Sequence, residues 1–176
     1  MSPETPRLAL QAGAGLPLSE LAAGYLTEYL DKIELAVAGL DEAQIWARTG
    51  ERTNSIANLL LHLCGNLSLW VRASLGNRRY VRDRAAEFAA DRICSKAELL
   101  DSLRLVVTDS CKVLSLMDAD RLGKRLEVQG YETDGRGVVL HAVEHMSYHT
   151  GQIVLLAKQA LPQGGELEFY PHHRGE

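Results

Sequence analysis

From Leu18 to Leu40 the apolar residues Leu18, Leu21, Tyr25, Tyr29, Ile33, Val37 and Leu40 recur every three or four positions. Each residue of an α-helix turns the chain by about 100°, so this spacing gathers them on one face. The signature returns three times. Ile56, Leu60, Leu63, Leu67 and Trp70 mark a second helix over 54–75, with Gly76 as its stop. Leu99, Leu103, Val106, Ser110, Leu114 and Met117 mark a third, opened by Ser95 and Glu98 in capping-box spacing. The fourth runs from about Gly137 to Leu161 and ends before Pro162.

Between these stretches the pattern breaks down. Residues 41–54 read as a polar connector around one apolar Trp46, and 77–93 as a charged connection with room for a short helical turn. Residues 118–137 are irregular, with a short extended pair around Leu126–Val128. Residues 1–16, rich in Pro, Gly and Ala, read as a flexible arm, and 163–176 as a tail held through Phe169 and Tyr170. The fold class is therefore all-α: a four-helix bundle over 17–162 with a long connection between its second and third helices.

Composition narrows the setting. At 176 residues the chain is long enough for one domain with a real core, and 46% hydrophobic content fits a globular protein. A net charge of -4 argues against general nucleic-acid binding, which needs a clustered cationic footprint. No run approaches the ~20 apolar residues that span a bilayer, and the N-terminus lacks a secretory signal pattern. Cys64, Cys94 and Cys111 are scattered and odd in number, so a reducing cytoplasm is the expected location and a disulfide framework is not.

The chemistry lies in the histidines. On the fourth helix, "VEHMSYHTGQIVLL" sets His149 among Val138, Ala142, Ile153 and Leu156, with His145 at the edge of that apolar arc. Four residues apart, the two imidazoles lie ~6 Å apart along the axis and can grip one metal ion. Separately hydrogen-bonded core histidines would look the same. On the second helix His62 lies between Asn58 and Asn66 in a polar stripe flanking the apolar arc. That stripe fits either a solvated face or the lining of a cleft, with His62 reaching across to the pair and the asparagines orienting it or a substrate. His141 lies one turn before His145 but farther from the core, where it reads as a rim group or an additional ligand. Gly151 is a place for close helix approach or plain surface, and Gln152 a hydrogen-bonding neighbour of the site or plain surface. His172 and His173 sit in the tail. Arg78, Arg79, Arg82 and Arg84, with Asp83 and Glu87, read as a solvated connector or as a carboxylate clamp. Ser147 points away from the histidines and no cysteine has a paired base, which leaves no protein nucleophile.

Three stretches, "HLCGN" at 62–66, "RDRAAEF" at 82–88 and "HMSYHTGQI" at 145–153, together resemble the DinB-like (YfiT-like) superfamily over about Leu18 to Gln159. The resemblance is to its small bacterial members. It implies a helical bundle binding a divalent ion, nickel or zinc, through His62, His145 and His149, and it implies homodimers. Relatives of known activity use low-molecular-weight thiols, so a thiol S-transferase acting on a small-molecule substrate is the leading expectation. Tyr148 departs from members that carry a further histidine there. A metal-dependent hydrolase and a non-catalytic, structural or stress-related metal-binding dimer stand as the alternatives.

Overall fold

The computed structural model describes residues 15–161, together with 167 and 169. The expected arm and tail, with His172 and His173, fall almost entirely outside that range. Among the described residues the chain is mostly helical. The elements, in order, are α1 (Leu18–Val37), α2 (Glu42–Trp46), α3 (Ile56–Leu67), α4 (Arg84–Ala89), α5 (Lys96–Leu114), α6 (Ala119–Leu122), β1 (Arg125–Val128), β2 (Tyr131–Asp134) and α7 (Gly135–Ala160). No described helix is long and apolar enough to cross a membrane.

The four long helices form where the periodicity put them, and the caps explain their starts. Ser55 with Asn58 opens α3, and Ser95 with Glu98 opens α5, each as a reciprocal capping box. Asp134 accepts from the Gly137 amide at the start of α7. Helix α1 packs on α5 and α7, and α3 packs on the same two. Leu26 and Ile33 of α1 meet Leu60 and Leu63 of α3, Leu103 of α5 and Ile153 of α7 in one core, all fully buried. Each such side chain contributes about 1.5–3 kcal/mol relative to exposure.

The molecule departs from the sequence reading in its second helix and in two connecting segments, and bears it out in the extended pair. The second helix is not uniformly α: after Leu67 it widens into a π-helical turn over Ser68–Ala73, visible in the bonds from the Ser74 amide to the Leu69 carbonyl and from Gly76 to Val71. Two short helices, α2 and α6, lie inside segments read as irregular, each opened by an aspartate cap at Asp41 and Asp118. The extended pair is a true hairpin, with Val128 opposite Tyr131. Its turn residues Gln129 and Gly130 both have positive φ, 53° and 79°, the geometry of the tight turn that suits strand twist. The Gln129 side chain accepts from the Trp70 indole N–H at 2.9 Å, tying the hairpin to the π-helical turn.

Candidate metal centre

Helix α3 brings Asn58, His62 and Asn66 to one side at four-residue intervals, and α7 brings His141, His145 and His149. The two rows face each other. His62 Nε2 and His145 Nε2 stand 3.0 Å apart. The ring of His62 lies 5.0 Å from that of His145 and 4.9 Å from that of His149, and the latter two are 4.5 Å apart. One nitrogen from each residue lies within 4.8 Å of the other two. The α3 stripe is not a solvated face: Asn58 is 0% exposed, and His62 and Asn66 are 3% exposed.

What covers it is the segment read as a solvated connector. Helix α4 and the chain before it fold over α3, and Asn58 is the anchor. Its amide donates to the carbonyls of Glu87 at 3.1 Å and Ala90 at 2.9 Å, so the Asn58 side chain holds α4 down. Glu87 then reaches His62, its Oε2 accepting from Nδ1 at 2.8 Å. Arg82 grips the same carboxylate with Nε on Oε1 at 2.7 Å and Nη2 on Oε2 at 2.8 Å, a two-pronged, charge-assisted pair. Arg82 Nη2 also lies 3.0 Å from His62 Nδ1. A ring nitrogen that donates to Glu87 has no lone pair for a guanidinium, so this is a neighbour contact. The Nη2 hydrogens go to Glu87 and to the His62 carbonyl, 3.3 Å away.

This pairing fixes the tautomer. With the proton on Nδ1, His62 presents a bare Nε2 lone pair to the other histidines. His149 is set the same way, donating from Nδ1 to Gln152 Oε1 at 2.7 Å. Gly65 makes the Glu87 approach possible, because a Cβ there would fall 1.9 Å from Glu87 Oε1. Gly151 plays no such part: among the described residues a Cβ there would meet nothing within 4 Å, so it permits no close approach between them.

The electrostatics favour neutral rings. Burial drives the His62 pKa down to about 4, against the hydrogen bond that His62 donates to Glu87 and with help from Arg82 and His149. Burial, then His149 and His62, drive His145 down to about 3. His149 and His141 are also lowered, again chiefly by burial. A cluster of unprotonated imidazoles is the form that binds cations. The thiols are in the opposite condition. Burial raises all three, Cys64 to about 12, so none is an activated nucleophile.

A cleft of about 470 Å³ opens from His62 and His145. Trp70, Asn66 and His141 line it, the hairpin residues Gln129 and Tyr131 form one wall, and Arg82 and Arg84 the other. His141 lies against Trp70 with ring centres 3.8 Å apart and accepts from the Asn66 amide at 3.2 Å, which makes it a cleft wall beside the three rings. Arg84 lies over the Phe88 ring at 4.9 Å, and Arg78 is spent on Asp109 at 2.8 Å, remote from the histidines. Ser147 and Tyr148 are exposed. A larger hollow of about 650 Å³ runs along the hairpin and contains none of the histidines.

Known proteins share the fold. A conserved protein from Enterococcus faecalis superposes with TM-score 0.69 at 15% identity, covering 83% of this chain and 98% of its own. A DinB-like protein from Bacillus subtilis gives 0.63 at 17% identity, with 85% and 96% covered. A DinB-like protein from Bacillus cereus gives 0.61 at 17%, with 81% and 95% covered. No curated protein matches the chain significantly. At such identities these neighbours speak for the fold. The sequence model described as mycothiol-S-transferase matches residues 21–160, a span that includes α3, α4 and α7 and every residue of the histidine cluster. The chain belongs to the mycothiol S-transferase family, within the DinB-like superfamily.

Proposed function

We propose that the protein is a divalent-metal-dependent thiol S-transferase whose ion is held by His62, His145 and His149. The observation that carries this reading is the convergence of three neutral imidazole nitrogens within 4.8 Å at the end of an open cleft. The donor set fits the ion: with bonds to histidine of about 2.0–2.1 Å at a tetrahedral angle, ligating nitrogens stand roughly 3.4 Å apart, and the three here lie within 4.8 Å, with His62 and His145 at 3.0 Å, so side-chain rotation of about 1 Å closes the set. In this reading the four long helices act as the family's four-helix bundle, a rigid frame for the ligands. A bound divalent ion would supply a Lewis acid that favours the thiolate form of a small thiol at neutral pH.

The protein's own groups do the rest. Glu87 holds the His62 proton on Nδ1, Arg82 holds Glu87, and Gln152 holds the Nδ1 proton of His149. The cleft of about 470 Å³ would receive the thiol beside the ion, with Trp70 and His141 in its lining. Mycothiol, the thiol in the family's name, is the first substrate to try.

The test is elemental analysis of the purified protein and of His62→Ala, His145→Ala and His149→Ala, paired with a conjugation assay using mycothiol and a reactive chloroarene or epoxide. One ion per chain, lost in each variant, with thiol-dependent conjugation abolished by chelation, is the expected result. Stoichiometric metal in all three variants would reject the ligand set. Turnover without added thiol would indicate hydrolysis. Metal with no turnover across a broad panel would indicate a structural ion.

A further inference from the structure

Of the four arginines at 78–84, three are engaged elsewhere or lie outside the cleft. Arg78 is paired with Asp109 and Arg82 with Glu87, and Arg79 is exposed and forms no part of the cleft wall. Arg84 is different. It lines the cleft together with His62 and His145, and among the described residues no carboxylate pairs with it. A guanidinium stays charged at any physiological pH, so the wall beside the histidines holds a fixed positive charge without a partner.

The position of that charge is set by a stack of rings. The Arg84 guanidinium carbon lies 4.9 Å over the Phe88 ring, and Phe88 lies against His62 with ring centres 4.6 Å apart. Stacking occupies the flat face of a guanidinium and leaves free the N–H groups at its edge, which point outward in the plane. That edge is what a carboxylate binds with two parallel hydrogen bonds. Burial lowers the pKa of His149 and the Arg84 charge adds to the effect, which puts the guanidinium within Coulombic reach of the histidine cluster. The hairpin wall carries one acid, Glu132, which is exposed. Among the described residues no ion pair joins Glu132 to Arg84 across the opening.

We propose that Arg84 binds the carboxylate of a small organic acid entering the cleft, so that one of the two substrates is an acid. The inference rests on the reading of the cleft as the substrate site of a thiol transferase and adds the chemical class that the site selects. Arg82 gives its two prongs to Glu87, which leaves the wall one planar edge and one unbalanced charge. That suits a carboxylate better than a phosphate dianion, which needs more than one cation.

Calorimetric titration with two matched pairs of probes tests it, on the zinc-loaded and on the metal-free protein. Dinitrobenzoate against dinitrobenzamide stands for the electrophile, and mercaptopropionate against mercaptopropionamide for the thiol. A bound ion draws carboxylates by itself, so the informative quantity is the part of the acid-over-amide preference that disappears with the guanidinium. In at least one pair Arg84→Gln is expected to cut that preference roughly tenfold, and Arg84→Glu to cut it further. The pair that responds shows whether the electrophile or the thiol carries the acid. Arg84 is exposed, and circular dichroism checks that each variant keeps its helix content. A preference unchanged by Arg84→Gln in both pairs overturns the proposal, as does a wild type that binds neither acid up to about 10 mM. The titrations need no turnover, so a protein that conjugates nothing still answers the question. One that conjugates thiols but loses no acid preference with Arg84 refutes this inference alone.

Discussion

Gly65→Ala is the smallest change that reaches the proposed metal centre without touching a histidine. An added Cβ would sit 1.9 Å from Glu87 Oε1, 2.8 Å from its Cδ and 3.0 Å from Arg82 Nε. Non-bonded carbon contacts settle near 3.5 Å, so the carboxylate must retreat by roughly 1.5 Å. It now accepts from His62 and Arg82 at 2.7–2.8 Å. A retreat of that size carries at least one of these bonds beyond hydrogen-bonding reach, and charge-assisted bonds contribute about 1.5–3 kcal/mol each. Alanine returns up to ~1 kcal/mol as a better helix former. The variant is thus expected to stay folded with a modestly lower Tm, while zinc affinity drops about 10–100-fold because His62 loses the group that fixes its tautomer. Competition against a fluorescent chelator measures the affinity and circular dichroism the stability. In a Glu87→Ala background there is no carboxylate to displace, so the same substitution should leave affinity where Glu87→Ala put it and raise Tm. Wild-type zinc affinity in Gly65→Ala, or an equal further loss in the Glu87→Ala background, would refute the reasoning.

The same geometry sets further outcomes. Chelation should lower Tm by roughly 5–10 °C, since an ion present at a hundred times its Kd stabilises by about 2.7 kcal/mol and a chain of this size loses some 2–4 °C per kcal/mol; a Tm unmoved by chelation of a metal-loaded sample would contradict an ion bridging α3 and α7. Gln152→Leu leaves the His149 Nδ1 proton without an acceptor and should weaken zinc binding about 10–100-fold in the competition titration. Cys64, raised to about 12 by burial and the nearby Glu87 charge, should resist iodoacetamide at pH 8 in the native protein and react once it is unfolded, as mass spectrometry would show. Burial pushes the Asp109 carboxyl up, but Arg78, Arg72 and Lys112 outweigh it and hold the pKa below its ordinary value. Its contribution is present above the unfolded pKa near 4 and fades as pH falls through the folded one. Asp109→Asn should therefore melt earlier than wild type at pH 7, with the gap closing toward pH 3.

The long helices were legible because each buries a full stripe, and a stripe of five or six apolar residues survives any local exception. Helices α2 and α6 were not, since five and four residues are too few to display a period. The π-helical turn leaves the apolar pattern intact and is visible only in its hydrogen bonds. At the centre, His145 and His149 were readable from their own helix. His62 stood on the flank of its stripe, and its burial is created by residues some twenty positions later. No spacing rule links Glu87 to His62 or explains Gly65; only the folded contact between α3 and α4 does. The signal available was the proximity of Arg82 and Glu87 inside "RDRAAEF", which a reading by net charge dissolves into solvent.

The wide turn after Leu67 has a bearing on any attempt to move this site elsewhere. Residues repeated every fourth position creep about 40° per step around an α-helix, so a straight continuation would carry Trp70 progressively away from the line of His62 and Asn66. More residues per turn over Ser68–Ala73 wind part of that creep back, and the indole finishes over His141 with its N–H on Gln129. Deleting one residue of that stretch should leave metal content unchanged while thiol affinity falls, as equilibrium titration would register. A designer who transplants three imidazoles onto regular helices would obtain the grip and forfeit the chamber beside it.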